Sequence, residues 1–149
     1  MKIAVGADHG GYALKDIIVD RLQERGYEVR DFGTHGPEPV DYPDYARPVA
    51  RAVASGVFDL GILVCGTGIG VSIAANKVVG IRAAACSDTY SARMSRQHNN
   101  ANVLCLGGRV LGPGLALDIV DAWLTAEFEG GRHARRVEGI HRIEADRSP

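Results

Sequence analysis

The stretch from Leu60 to Gly70, LGILVCGTGIG, is an apolar run of strand character that ends on a thiol and passes straight into a glycine-rich turn. A helix is expected next, through Ile73-Ala74-Ala75. The same strand, loop and helix succession extends outward in both directions. Upstream, Ile3-Ala4-Val5 precedes the polar cluster Asp8-His9-Gly10-Gly11, after which Leu14, Ile17, Ile18 and Leu22 recur at helical spacing until Gly26. YEVRDF then reads as a strand, HGPEP as a turn, and a helix begins near Pro43, with Pro48 predicting a kink or a broken start. Downstream, IRAAAC is followed by the helix DTYSARMSRQH, and NVLCLGG by the helix LALDIVDAWLTAEF.

Five apolar strands, each followed by a helix, predict an α/β fold. Parallel strands need crossover connections and bury both faces, so the expectation is a three-layer αβα sandwich around a five-stranded parallel sheet. After Phe128 the chain restarts as a basic, polar C-terminal helix. Its narrow apolar stripe, Val137, Ile140 and Ile143, predicts a helix docked on the surface, with residues 144–149 as a flexible tail. A chain of 149 residues suits one domain, residues 1–149.

Composition narrows the partner. With 46% hydrophobic and 23% charged residues and a formal net charge of -1, the chain lacks the basic footprint of a nucleic-acid binder. The start, MKIAVGAD, is neither a signal peptide nor a transit sequence, and no run approaches the ~18 apolar residues of a membrane span. Cys65, Cys86 and Cys105 form no CxxC pair, which argues against a disulfide framework and against a zinc site. The expected partner is a small molecule, the expected compartment the cytoplasm.

In open α/β sheets, ligands sit where loops leave the carboxyl ends of the strands. Asp8-His9, Cys65 to Gly70, Ser87-Asp88 and Gly107-Gly108-Arg109 should therefore converge on one edge. Gly66, Gly68 and Gly70 let successive N–H groups face one concavity and hold an anion. The order of glycines is not GxGxxG, no Walker lysine follows, and Val71 stands where a Cys-x5-Arg loop needs arginine. A tight turn without a ligand remains the alternative. Cys65, between a strand end and a helix start, is either a small core residue or a thiol placed where it ionises most readily. Cys86 and Cys105, embedded in AAAC and VLCLG, read as core residues.

Four ordered motifs, GADHGGYALK, CGTGIGVSIAANK, SRQHNNANVLCLGGR and WLTAEFEGGRHARRV, resemble the ribose/galactose isomerase family, and within it the type B ribose-5-phosphate isomerases. The resemblance runs from Lys2 to about Ile143. It implies a Rossmann-like sandwich and an aldose–ketose isomerase of the pentose phosphate pathway that needs neither metal nor cofactor. It further implies a homodimer with shared active sites, a tetramer being left open. Some members carry a glutamate just after the glycine loop and a glycine at the cysteine position. Here Val71 and Cys65 stand there, so the chain looks like the cysteine-dependent branch.

The resemblance also implies roles. Cys65 takes the C2 proton, and the N–H groups of Gly66, Gly68, Ile69 and Gly70 stabilise the enediolate oxygen. Thr67 offers a hydroxyl, with a helix N-cap as its ordinary alternative. His98 is the acid that opens the sugar ring, and Asn99 beside it holds the sugar, reaching the neighbouring subunit's site. Asp8 meets the ring oxygens or hydroxyls, and His9 faces the phosphate. Arg109, and Arg132 with Arg136 on one helix face, are further ligands of the phosphorylated sugar. From the residues alone, His98 reads first as a helix-end cation, Asp8 as an Asx turn, and the arginine pair as a solvated face; the resemblance reverses that preference. The motifs leave the length of the sugar open, so allose 6-phosphate, galactose 6-phosphate or a tetrulose phosphate are alternative substrates. A non-catalytic sugar-phosphate sensor is disfavoured by Cys65, Thr67 and His98 together, since a sensor needs neither base nor acid.

Replacing Cys65 by Ser should abolish turnover with the fold intact, because a serine hydroxyl is too weak an acid to serve as the base near neutral pH. Circular dichroism beside an activity assay checks this. Cys86→Ala and Cys105→Ala should leave the chemistry alone, and near-normal turnover in a folded Cys65→Ser protein would move the base to another group, Asp8 first.

Overall fold

The computed structural model describes residues 1–146. Strands β1 (Lys2–Ala7), β2 (Glu28–Asp31), β3 (Leu60–Cys65), β4 (Ala83–Ala85) and β5 (Val103–Gly107) alternate with helices α1 (Tyr12–Glu24), α2 (Tyr42–Ala54), α3 (Ile69–Ala75), α4 (Thr89–Asn99) and α5 (Pro113–Leu124), and α6 (Arg132–Ala145) follows. All pairings are parallel, in the order β2-β1-β3-β5-β4. The expected α/β sandwich is present, with the glycine-loop strand β3 at the centre of the sheet.

The two-residue period of each strand divides its side chains between two cores. Ile3, Val5, Ile62, Val64, Leu104 and Leu106 pack with Leu14, Ile18 and Leu22 of α1, Ala92 of α4 and Trp123 of α5. Ala4, Leu63, Cys65, Val103 and Cys105 pack on the opposite face with Val49 and Val53 of α2 and Val71 and Ala75 of α3. Cys65 therefore belongs to the α2/α3 face, directly under its own glycine loop.

Several boundaries depart from expectation. α2 continues as one helix through Pro48, with Pro43 in its first turn, because the packing of Ala46, Val49, Ala50 and Val53 outweighs one missing ladder bond. β4 is shorter than IRAAAC: the Asn102 side chain takes the Gly80 carbonyl and the Arg82 N–H, and the Asn76 side chain takes both polar groups of Ala83. α5 stops at Leu124, where Thr125 Oγ1 donates to the Asp121 carbonyl, short of the expected Phe128. On α6 only Val137 of the apolar stripe is buried; Ile140 and Ile143 are 42% and 60% exposed. The expected loose tail begins within α6, where Glu144 accepts the Gly80 N–H; residues 147–149 lie outside the described residues. No helix among the described residues is long and apolar enough to cross a membrane.

The Lys15 side chain is fully buried and pairs with Asp16 at 2.7 Å and with Asp31 at the end of β2. The pair pins α1 to the edge strand. Lys15→Ala should cost about 3 kcal/mol, the low end for breaking a buried pair, since Asp31 keeps some solvent. A urea unfolding curve measures it, and a loss below about 0.5 kcal/mol, as for a surface residue, would remove this role.

Candidate active site

Three loops meet at the carboxyl edge of the sheet and are joined by backbone bonds. Asp8 N–H donates to the Val64 carbonyl (3.2 Å), Gly108 N–H to the Cys65 carbonyl (2.8 Å) and Arg109 N–H to the Gly66 carbonyl (3.0 Å). The loops after β1, β3 and β5 thus form one platform. Asp8 is buried, and its Oδ1 accepts the Gly10 N–H at 2.8 Å, so the Asx turn is present and sits within the site. His9 Nδ1 accepts the Val40 N–H at 3.2 Å, which leaves the ring proton to Nε2. The Arg109 guanidinium lies beside the loop glycine: a Cβ on Gly66 would stand 3.5 Å from its Nη1.

Cys65 is 4% exposed and its Sγ accepts the Gly68 N–H at 3.1 Å. Gly68 has φ +79°, a conformation L-residues avoid, and a Cβ there would fall 2.9 Å from the Leu106 backbone, so the turn above the thiol requires glycine. Thr67 Oγ1 accepts the Ile69 N–H at 3.2 Å in a local turn, but the N-cap of α3 is Gly68 and carries no side-chain capping bond, so Thr67 is not the cap expected as its alternative, and its hydroxyl proton stays free to donate. The other two thiols differ. Burial pushes Cys86 up to about 11, with Asp88 adding to the shift and a hydrogen bond to Ser95 opposing it. Burial likewise holds fully buried Cys105 well above the ordinary thiol range.

Tyr42 was not anticipated. Its ring covers the glycine loop so closely that a Cβ on Gly70 would fall 2.9 Å from the ring. The ring remains 41% exposed, and the only signal in the sequence is its place beside Pro43 at a helix start.

The remaining expected residues lie elsewhere. α4 leaves the carboxyl end of β4 and returns the chain to the amino end of β5, so His98 and Asn99 at its end stand at the opposite edge of the sheet from Cys65. There the His98 and His133 rings stack face to face, with centroids 4.1 Å apart and planes 6° from parallel. Arg132 Nε lies 3.5 Å from His133 Nε2, and Glu129 Oε2 3.6 Å from the same nitrogen. Burial, then the neighbouring His98 and Arg132, holds His133 below the usual histidine range, while Glu129 pulls the other way. His133 is a second residue that sequence reasoning missed, hidden between two arginines. Arg132 and Arg136 are exposed and enter no salt bridge among the described residues. The ligand atoms of His98, Glu129 and His133 lie within 4.8 Å of one another, but parallel rings direct their lone pairs side by side rather than onto one ion.

One chain thus carries two half-clusters: thiol, glycine loop, Asp8, His9, Arg109 and Tyr42 at one edge, and His98, Asn99, Arg132, His133 and Arg136 at the other. The family model for ribose/galactose isomerases matches residues 3–140, and the chain belongs to that family. It is 60% identical over 147 residues, 99% of each chain, to ribose-5-phosphate isomerase B of Escherichia coli (strain K12). Its structure matches the Clostridium thermocellum ribose-5-phosphate isomerase B with a TM-score of 0.98 at 66% identity, over 99% of this chain and 100% of that one. The Mycoplasma genitalium ribose-5-phosphate isomerase B, solved with bound ribulose-5-phosphate, matches with a TM-score of 0.94 at 46% identity, over 97% of both chains.

Iodoacetamide at pH 8 should alkylate Cys65 well before Cys86 or Cys105. The raised Cys86 leaves little thiolate below its value of about 11, and its labelling should climb as pH rises toward that value. Peptide mass spectrometry reads the three sites separately.

Proposed function

We propose that this protein interconverts ribose 5-phosphate and ribulose 5-phosphate through an enediolate, in the cytoplasm and within the pentose phosphate pathway. Each active site is made by two copies of the chain. The observation that carries the reaction is the buried Cys65 thiol, which receives the Gly68 N–H at the floor of a glycine loop walled by Asp8, Arg109 and Tyr42. The relatives' names and the ribulose-5-phosphate held by the Mycoplasma genitalium enzyme support the substrate. The shared site is supported by the placement of His98 at the edge away from Cys65.

Ribose 5-phosphate enters as a cyclic hemiacetal. The partner subunit's His98 gives a proton to the ring oxygen while the anomeric hydroxyl gives its proton to the Asp8 carboxylate, so that the ring opens to the aldehyde, and the partner subunit's Asn99 holds the sugar. The Cys65 thiolate then removes the proton from C2. Electrons shift onto the carbonyl oxygen, where the loop N–H groups stabilise the charge, a contribution of about 3 kcal/mol per donor. Return of the proton from sulfur to C1 completes the ketose, while the Thr67 hydroxyl lies within the same loop to serve the oxygen protons. The phosphate is held by His9 and Arg109 together with the partner subunit's Arg132 and the partner subunit's Arg136. Among the described residues neither arginine is paired to a carboxylate, which suits both to a dianion.

Ribose 5-phosphate, allose 6-phosphate and erythrulose 4-phosphate offered in parallel should show the pentose phosphate turned over fastest, and conversion of none would end the enzymatic reading. Arg132→Ala should lower kcat/KM by about 2 to 4 kcal/mol and weaken competition by inorganic phosphate. Mixing folded Cys65→Ala and Arg132→Ala proteins should restore activity once subunits have exchanged. No recovery after exchange proven by mass spectrometry would place thiol and clamp in one chain.

A further inference from the structure

The end of α4 is held by a cation that has no part in the chemistry above. Arg82, in the segment leading into β4, donates from Nε to the carbonyls of Asn99 and Asn100, both at 3.0 Å, and from Nη2 to the Asn100 carbonyl at 2.8 Å. Its Nη1 reaches His141 Nε2 on α6 at 2.9 Å. Helix ends leave carbonyls without partners, and here one planar guanidinium takes two of them, including the carbonyl of Asn99, the residue next to His98. Asn100 itself sits at φ +46°, a left-handed turn that a looser attachment would allow to relax.

The backbone that carries the guanidinium is tied to the same turn: Asn102 Oδ1 accepts the Arg82 backbone N–H at 2.8 Å. Arg96 works from the other side, its Nη1 donating to the Ala101 carbonyl at 2.7 Å. Arg82 forms no salt bridge among the described residues, and burial lowers its pKa, with Glu144 opposing. A half-buried guanidinium without a carboxylate partner is costly to desolvate, so the carbonyls it grips are its principal compensation.

We propose that Arg82 is a positioning residue of the isomerase: its fork fixes the Asn99–Asn100 turn and thereby sets where His98 and Asn99 stand when they complete a partner's site. The inference rests on the ring-opening role given to His98 above. Its signature is selective. Ribose 5-phosphate must be opened before C2 can lose its proton, whereas ribulose 5-phosphate, whose 5-oxygen is esterified, has no furanose ring to open. Proton removal from C1 of the ketose by Cys65 therefore needs no ring-opening acid.

The test uses Arg82→Lys and Arg82→Gln in the full-length protein, with His98→Asn as the reference for loss of the acid. Two rates are followed: conversion of ribose 5-phosphate, and incorporation of solvent deuterium at C1 of saturating ribulose 5-phosphate, read by NMR. Both Arg82 variants should lose about 10- to 100-fold in conversion, as expected for a catalytic group displaced by about an ångström. At saturating ribulose 5-phosphate, where a looser hold by Asn99 shows in KM and not in the rate, deuterium incorporation by the Arg82 variants should stay within about twofold of the unmodified protein. Lysine should not rescue, because it keeps the charge but not the planar fork. Equal loss of both rates, no loss of either, or misfolding of both variants by circular dichroism would each overturn the proposal and assign Arg82 to general stability. An unmodified protein that performs neither reaction would instead overturn the proposed function itself, a separate result from any of these.

Discussion

The close approach of three backbones at the carboxyl edge of the sheet governs this molecule. A Cβ on Gly11 would lie 2.5 Å from the Val64 carbonyl, one on Gly107 2.9 Å from the Thr67 carbonyl, and one on Gly108 2.6 Å from the Gly10 oxygen. No side chain fits between these loops, so main-chain hydrogen bonds join the ends of β1, β3 and β5 directly. From this follow the burial of Asp8, the orientation of the Gly68 N–H toward Cys65, and the seating of Arg109 beside the glycine loop. The platform is rigid because it is backbone, which suits a site that must stabilise an oxyanion with little reorganisation.

The same topology divides the functional groups. In a parallel sheet a helix that follows a strand runs back toward the opposite edge, so a residue at the end of α4 cannot share an edge with residues at the end of β3. His98 is held away from its own chain's thiol by the crossover geometry that makes the fold. Around it a second assembly forms, with the stack on His133, the exposed Arg132 and Arg136, and the Arg82 fork beneath the turn. Under the proposed function, a site assembled from two chains would reconcile this fixed fold with an acid and a base acting on one sugar.

Much of the first half-cluster was legible because its members are neighbours in sequence at strand ends. Asp8 and His9 follow one apolar run, Cys65 to Gly70 another and Arg109 a third, and convergence at one edge is a property of parallel sheets. The roles of His98, Asn99, Arg132 and Arg136 came only from the resemblance, since a histidine or an arginine pair near a helix end is ambiguous by itself. Tyr42, His133, Lys15 and Arg82 were overlooked for a common reason. Each matters through a partner far along the chain: the loop at Gly70, the ring of His98, the carboxylate of Asp31, and the carbonyls of Asn99 and Asn100.

By itself the sequence determined the succession of strands and helices, the burial of the sheet on both faces, and a thiol set at the start of a glycine loop. These depend on local periodicity and on residue types at strand ends. Only the tertiary structure decided that α2 continues as one helix past Pro48, that β4 is a short edge strand tied by asparagine side chains, and that the expected site residues fall at two edges. These outcomes depend on the strand order β2-β1-β3-β5-β4 and on the return direction of each helix. Contacts between distant segments set them, and no single window of the chain contains both partners.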